Sequence, residues 1–216
     1  MSGLDEFHGF ALDGVRWRVT GAGVDIEGSG LERTPGTPKT AQFVWKQYGA
    51  LIQKISVELK VPPPLIAATI CTESGGRAEA IRLEPGYKSD EETPRRISVG
   101  LMQTLISTAA DMMKTKVTRD WLKEPVNSLR AGTKLVAQQA SRTKFDPPLV
   151  AAAYNAGGLY PQNGMKNRWK VRQYPIGAGG HCDHFVRFYN DICMILLREN
   201  TQPRSAQFYP RHHIPR

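Results

Sequence analysis

Apolar residues recur at helical spacing along most of the chain after about residue 40, and this spacing predicts a mainly α-helical domain. The first helix is predicted to begin near Thr40, a residue suited to capping a helix. Its apolar stripe comprises Phe43, Tyr48, Leu51, Ile52, Ile55 and Leu59. Further helices are predicted at about 65–73, 104–115, 127–142, 147–156 and 183–198, whereas residues 77–98 are polar and are predicted to form a long loop.

The first part of the chain has a different pattern. Val15, Trp17 and Val19 alternate with basic residues, which is the period of a strand, and several glycines and prolines follow. Such a hairpin or extended segment is too short to form its own core, so it is expected to lean on the main domain or to dock on a partner. We therefore divide the chain into an extended segment with a linker at 1–38, a helical domain at 39–200 and an irregular tail at 201–216.

The helix predicted at 65–73 ends at a carboxylate. It is apolar nearly all round, which predicts burial, and Glu73 is followed by Ser74, Gly75 and Gly76, where glycines are suited to ending a helix. Burial raises the pKa of a carboxyl group, and a raised pKa suits a general acid. The alternative at this stage is an ordinary exposed glutamate at a helix end.

The balance of charge favours anionic partners. The 216 residues carry a formal net charge of +9, and the densest basic stretch lies at 166–172, next to aromatic residues. Anionic cell-wall polymer fits this charge. No nucleic-acid recognition motif is present, and a solvated face is the alternative for the basic stretch. No apolar run approaches the ~20 residues that a membrane-spanning helix needs.

The cysteines and histidines do not form a recognisable metal site. Cys71 lies in the apolar helix and is predicted to be buried filler, while pairing of Cys182 with Cys193 stays open. The run at 181–184, His-Cys-Asp-His, fits no zinc spacing, and Asp183 is predicted to cap the last helix. The sequence therefore predicts neither a metal nor a cofactor.

Three short segments carry a resemblance when they are taken together. These are Glu73-Ser74 at the end of an apolar helix, Gly-Leu-Met-Gln at 100–103, and Ala-Tyr-Asn-Ala-Gly at 153–157. In this order they resemble the lytic transglycosylases with the soluble-transglycosylase catalytic domain, which share a fold with goose-type lysozymes. The resemblance covers about residues 45–198 and implies a lysozyme-like helical domain behind the short N-terminal segment.

The resemblance implies roles for individual residues. Glu73 matches the catalytic acid/base, and Tyr154 matches the tyrosine whose hydroxyl bonds the catalytic carboxyl group. A core aromatic is the alternative for Tyr154, and plain packing is the alternative for Met102. The implied substrate-binding residues are Ser74, Gly100, Met102, Gln103, Tyr154 and Asn155, with Ser74 near the scissile bond and Asn155 shaping the site.

The implied substrate is the glycan strand of bacterial peptidoglycan. Glu73 alone would cleave the bond between N-acetylmuramic acid and N-acetylglucosamine and leave a 1,6-anhydromuramic end. The chain departs from the family at 75–99, an insertion-like segment that carries Glu84, Asp90, Glu91 and Glu92. Asp90 in particular suggests a hydrolytic, goose-type muramidase as an alternative. A lysozyme-like domain that binds glycan without cutting it is the other.

The place of action is predicted from the first residues. MSGLDEFHGF lacks the basic start and apolar stretch of a secretory signal, although the implied substrate lies outside the cytoplasm. This combination predicts a phage-type lysin, released by holin-mediated lysis or carried in a virion. In the second case the N-terminal segment would dock on tail proteins.

Overall fold

The computed structural model describes residues 3–200 and confirms a mainly α-helical fold. The predicted irregular tail at 201–216 lies outside the described residues. The described helices are α1 (Lys39–Leu59), α2 (Pro63–Glu73), α3 (Ile106–Met113), α4 (Arg119–Lys123), α5 (Pro125–Gln138), α6 (Ala140–Thr143), α7 (Pro147–Ala156) and α8 (Gly180–Asn200). The described strands are β1 (Trp17–Thr20), β2 (Gly23–Ile26), β3 (Ile81–Leu83), β4 (Ile97–Val99) and β5 (Thr104–Leu105). None of the helices in this range has the length and apolar character needed to span a membrane.

Helix α2 lies at the centre of the domain and packs against α1, α7 and α8. Every residue from Pro64 to Cys71 is buried, as its apolar sequence predicts. Pro63 and Pro64 occupy the first turn, where a missing N–H group costs nothing. The chain leaves the helix through Gly75 and Gly76, which both have positive φ angles. Burial on all sides places whatever α2 carries at its end inside the protein.

Helix α1 differs from its prediction in its start and in its buried face. It begins at Lys39 after Pro38, without a side-chain cap, so Thr40 does not cap it. Phe43 is 48% exposed, whereas Val44 and Trp45 are buried. The buried face is set by packing against α2 and α8, and the Trp45 indole N–H also donates to Glu199 on α8 at 2.9 Å.

The segment predicted as a long loop instead carries most of a small sheet. Strands β3, β4 and β5 pair antiparallel in that order, with Ile81 opposite Val99 and Val99 opposite Thr104. All three residues of β3 are exposed and all three of β4 are buried, so neither strand shows the alternation that would reveal it in the sequence. The prediction of a long loop at 77–98 was therefore wrong where these strands lie.

Each predicted helix is present, but the bounds of several differ from the prediction. Helix α7 has the predicted bounds, whereas the helix predicted at 127–142 is divided into α5 and α6. Helix α4 is only five residues long and has too few apolar positions to be recognised by spacing. Helix α8 begins at Gly180, three residues before the predicted start.

The N-terminal hairpin packs on the main domain. Strands β1 and β2 pair antiparallel, and Trp17 of β1 is fully buried against Trp169. The Trp17 indole N–H donates to one oxygen of the buried Asp146 at 2.8 Å, and His8 lies 2.9 Å from the other oxygen. Because Asp146 directly precedes α7, the hairpin is joined to the base of that helix.

The other side of the hairpin is held by Asn190 of α8. Its side-chain oxygen accepts from the Val24 N–H at 2.7 Å, and its nitrogen donates to the Val24 carbonyl at 3.1 Å and the Glu32 carbonyl at 2.7 Å. These contacts satisfy the buried backbone of β2. They also bring Gly23 so close that a Cβ atom there would lie 2.2 Å from the Asn190 oxygen.

Two of the four basic residues at 166–172 form ion pairs within the protein. Arg168 binds Glu32 at 2.7 Å and Asp183 at 2.7 Å, and Lys170 lies 3.2 Å from Asp13. Glu32 and Asp13 both belong to the N-terminal segment. These ion pairs therefore join that segment to the helical domain, and they favour a structural role for the stretch over an anion-binding one.

Gly23→Ala tests whether the hairpin is docked in this way. We expect a loss of about 3 kcal/mol or more in the free energy of unfolding, since the new Cβ must displace Asn190 and the backbone is in a strained region. Gly28→Ala is the matched control, because Gly28 also has a positive φ angle but faces open space, and it should cost only about 1 kcal/mol. Equal losses in urea unfolding would contradict the docking.

Candidate active site

Glu73 ends α2 with its side chain only 8% exposed. Burial removes water from the carboxyl group and raises its pKa from 4.5 to about 7, although the positive charge of Arg82 acts in the opposite direction. The imidazole of His181 lies close by, with its Nε2 3.7 Å from Glu73 Oε1. A carboxyl group with this pKa is partly protonated at neutral pH and is able both to give and to take a proton.

Ser74 fixes the end of α2 rather than facing the solvent. Its side chain is 2% exposed, and its hydroxyl donates to the Leu101 carbonyl at 2.7 Å while it accepts from the Gly76 N–H at 3.2 Å. The contact between Ser74 and a sugar that the resemblance implies stays a prediction. The hydroxyl joins the end of α2 to the turn at 100–103.

That turn depends on a glycine. Gly100 has a φ angle of +82°, and a Cβ atom there would lie 2.1 Å from the Leu122 carbonyl oxygen. The Gln103 side-chain nitrogen donates to the Ala80 carbonyl at 2.9 Å and to the Gly100 carbonyl at 3.0 Å. Gly100 and Gln103 thus hold the backbone of the turn, Gly100 through its conformation and Gln103 through its side-chain nitrogen.

Met102 is fully buried, which favours the packing alternative over a place in the saccharide groove. Its sulfur lies 3.8 Å from the Thr133 hydroxyl, and its backbone N–H donates to the Ser128 hydroxyl at 3.1 Å. Its carbonyl accepts a hydrogen bond from the Tyr154 hydroxyl at 2.7 Å. Met102 therefore connects the turn to α7.

The hydroxyl of Tyr154 does not bond Glu73, in contrast to the role that the resemblance implies. Its single proton is donated to the Met102 carbonyl, and its oxygen lies 3.2 Å from the Thr104 hydroxyl. Burial raises the pKa of Tyr154, and the nearby charge of Glu73 raises it further. Tyr154 is thus close enough to sense Glu73, but it stays a neutral phenol that is bound to the turn.

The side chain of Asn155 contacts both Tyr174 and His181. Its side-chain oxygen accepts from the Tyr174 N–H at 2.5 Å, and its nitrogen lies 3.5 Å from Nδ1 of His181. Burial lowers the pKa of His181 to about 4, and the charges of Arg82 and His184 act in the same direction. The imidazole is therefore neutral at neutral pH.

The comparisons with known proteins identify the family of the chain. The family model described as Transglycosylase SLT domain matches residues 50–175, more than half of the chain. The chain belongs to this family. No curated protein matches it.

A solved structure shows the fold of this SLT domain. The structure of an inactive mutant of the lytic transglycosylase Slt from Pseudomonas aeruginosa aligns with a TM-score of 0.52 and 18% identity. The alignment covers 73% of this chain and 25% of that one, so the chain spans about a quarter of the protein that it resembles. This similarity confirms the predicted lysozyme-like helical fold of the lytic transglycosylases.

The four residues at 181–184 lie beyond the range that the family model matches, and their side chains have different surroundings. His181 points toward Glu73, Cys182 is buried in the core, and His184 is exposed. Asp183 does not cap α8, since its carboxylate accepts from Arg168 and from the Trp169 indole at 2.8 and 2.9 Å. The three cysteines of the chain, including Cys182 and Cys193, are free, and Cys71 is buried as predicted.

Asp90 is engaged with other groups. Its two oxygens accept from Arg119 at 2.8 and 3.0 Å, and the Tyr87 hydroxyl donates to it at 2.8 Å. Arg119 holds the pKa of Asp90 below its usual range. A carboxylate fixed in this way is poorly suited to positioning a water molecule for attack, which disfavours the muramidase alternative.

Sequence reasoning missed two residues of the site. His181 was considered only within a metal pattern, and nothing in the local sequence relates it to Glu73, which lies on another helix. Gly132 lies inside α5, where a Cβ atom would be 2.6 Å from the Met102 sulfur and 2.8 Å from the Tyr154 hydroxyl. A glycine within a predicted helix often marks such close packing, and this signal was available.

Glu73→Gln is expected to stabilise the protein at alkaline pH. Because the folded pKa is raised from 4.5 to about 7, the folded protein retains a proton that the unfolded chain releases across this window. Stability therefore falls as pH rises from about 4.5 to 7, by an amount on the order of 3 kcal/mol. In urea unfolding the variant should gain about this much at pH 8 and nothing at pH 4. Glu91→Gln, at an exposed position, should stay within about 0.5 kcal/mol, and an equal gain there would contradict the burial of Glu73.

Gly132→Ala tests the contact between α5 and the Tyr154–Met102 pair. Alanine favours a helix by up to about 1 kcal/mol, but the new methyl group must displace Met102 or Tyr154. We expect a net destabilisation of about 2 kcal/mol in thermal or urea unfolding. Gly49→Ala in α1 is the control, since its nearest neighbours are ring atoms of Trp45 at 3.3 Å and it should be nearly neutral. A stabilised Gly132 variant would show that the site tolerates the methyl group.

Proposed function

We propose that this SLT domain is a lytic transglycosylase that cleaves the β1,4 bond between N-acetylmuramic acid and N-acetylglucosamine in peptidoglycan. One observation carries the proposal: a carboxyl group with a pKa of about 7 is buried at the end of the central apolar helix. Membership of the family supplies the substrate class. The burial supplies the chemistry, since an ordinary exposed glutamate would have lost its proton at neutral pH.

In the first step Glu73 donates its proton to the glycosidic oxygen. The bond to C1 of the muramic residue breaks, and the N-acetylglucosamine unit leaves as an alcohol. The acetamido group of the muramic residue stabilises the positive charge that develops on the sugar. Glu73 is now a carboxylate in a site that disfavours its charge, which makes it ready to take a proton back.

In the second step Glu73 acts as a base. It removes the proton of the muramic C6 hydroxyl, whose oxygen attacks C1 and closes the 1,6-anhydro ring. The proton balance is complete, because Glu73 ends in its starting form, and no water is consumed. One carboxyl group is sufficient for this sequence, whereas ordinary glycosidases use two.

The engagement of Asp90 supports transglycosylation over hydrolysis. An inverting hydrolase needs a second carboxylate to activate water, and a retaining one needs it as a nucleophile. In the insertion-like segment Asp90 is held by Arg119, and Glu84 and Glu92 lie near Arg82 and Lys88 at 3.0 and 3.7 Å. Glu79 lies 3.5 Å from Lys123, so every acidic residue of the segment except the exposed Glu91 has a basic partner.

Digestion of purified peptidoglycan tests the activity and the product together. The wild type should release muropeptides with anhydro ends, which are one water lighter than reducing ends in mass spectrometry. Glu73→Gln should lower the rate by about 10³-fold, within the range that general acid–base catalysis contributes. Glu91→Gln should retain the rate. Activity should fall as pH rises through about 7, because Glu73 must begin the cycle protonated.

The alternatives give different results in the same assay. Reducing ends would show a hydrolytic muramidase, and binding to peptidoglycan without cleavage would show a glycan-binding domain. That the enzyme is a phage-type lysin stays a prediction. Its presence in purified virions would support a tail-associated form, and its presence in the periplasm of uninfected cells would contradict both phage-based forms.

A further inference from the structure

A chain of contacts leads from the backbone of residue 174 to the proposed catalytic carboxyl group. The Tyr174 N–H is a donor only, so the atom of Asn155 that faces it at 2.5 Å must be the side-chain oxygen. The amide orientation of Asn155 is thereby fixed. Its nitrogen, which is also a donor only, therefore faces Nδ1 of His181 at 3.5 Å.

This orientation decides which imidazole nitrogen carries the proton. A neutral imidazole has one N–H donor and one acceptor nitrogen. Since Asn155 presents a donor to Nδ1, Nδ1 is the acceptor and the proton resides on Nε2. Nε2 is the atom that lies 3.7 Å from Glu73 Oε1, so His181 directs an N–H group at the carboxyl group.

Gln173, which precedes Tyr174 in the chain, fixes the helical turn that carries His181. The Gln173 side-chain oxygen accepts from the Cys182 N–H at 2.8 Å and so binds the first turn of α8. Gln173 is itself buried and donates to Asn167 at 3.2 Å. Tyr174 therefore fixes Asn155, and Gln173 fixes the turn that carries His181. Together they keep the imidazole beside Glu73.

The surroundings keep this imidazole neutral. Burial, Arg82 and His184 all oppose a positive charge on His181, and its place in the first turn of α8 does the same through the helix dipole. Tyr154, which also senses the charge of Glu73, is a neutral phenol bound to Met102. His181 is therefore suited to donate a hydrogen bond at neutral pH but not to supply the proton for the reaction.

We propose that His181 is a positioning residue, whose Nε2–H group binds the carboxylate of Glu73 after the first proton transfer. The inference rests on the proposed function, since it assigns His181 to the charged state of the acid/base. At 3.7 Å the contact is longer than a hydrogen bond, and it shortens when the negative charge forms. His181 thereby holds the carboxylate in place for the second step, in which Glu73 acts as a base. No proton leaves the imidazole.

The test compares His181→Leu, His181→Gln and the control His184→Leu in the full chain. Leucine removes the donor, whereas the glutamine side-chain nitrogen reaches about as far as Nε2. The midpoint for Glu73, followed by ¹³C NMR of its carboxyl carbon, should rise by about one pH unit in His181→Leu. It should return most of the way toward the wild-type value in His181→Gln and stay in place in His184→Leu.

The rates of peptidoglycan cleavage should follow the titration. His181→Leu should lose on the order of tenfold in kcat, with the alkaline fall of activity moved to higher pH, and His181→Gln should recover most of the rate. A purely structural role would lower kcat without moving this fall. An unchanged Glu73 midpoint in a folded His181→Leu protein would overturn the proposal, as would ¹⁵N NMR that places the wild-type proton on Nδ1.

The two proposals fail in different ways. If Glu73→Gln keeps its activity, the proposed function is wrong, whatever the titrations show. If Glu73→Gln is inactive but neither the midpoint nor the pH profile responds to His181→Leu, the function stands and the role of His181 is wrong. Thermal unfolding of each variant separates these results from loss of the fold.

Discussion

The proposed chemistry depends on one physical constraint, the free-energy cost of burying the carboxyl group of Glu73. Glu73 ends a helix that is apolar on all sides and is enclosed by three other helices, so water is largely removed from its side chain. The charge of Arg82 offsets only part of this cost, and the pKa stays near 7. A protein that placed a strong cationic partner at this position would gain stability and lose the group's ability to hold a proton.

The segments that carry the family resemblance mainly build the frame around this carboxyl group. Ser74 binds Leu101, Tyr154 binds Met102, and Gln103 closes its own turn, so most of their polar groups are used inside the protein. Gly100 allows the turn to pass close to Leu122. The result is a rigid backbone that connects the ends of α2 and α7. Such a frame suits an acid/base that must keep its position through two proton transfers.

The N-terminal hairpin belongs to the same structure. Trp17 and His8 bind the buried Asp146 at the start of α7, and Asn190 holds β2 on α8. Helices α7 and α8 carry Asn155 and His181 respectively. The apolar side of the hairpin is used within the domain, so any docking on a partner would have to use its outer, polar side. The hairpin thus supports the two helices that flank Glu73.

The sequence predicted the local features of the fold and the site. The contacts between residues that are distant in the chain were decided only by the tertiary structure. The buried helix that ends at Glu73 and the three family segments are local features, because spacing, capping and backbone restrictions act over a few residues. The sequence pattern did not predict strands β3 and β4, because β3 is wholly exposed and β4 is wholly buried. The proton donated by Tyr154, the pairing of Asp90 with Arg119 and the approach of His181 to Glu73 join residues on separate elements. Burial and the direction of a hydrogen bond are set by neighbours in space, and only the folded chain brings those neighbours together.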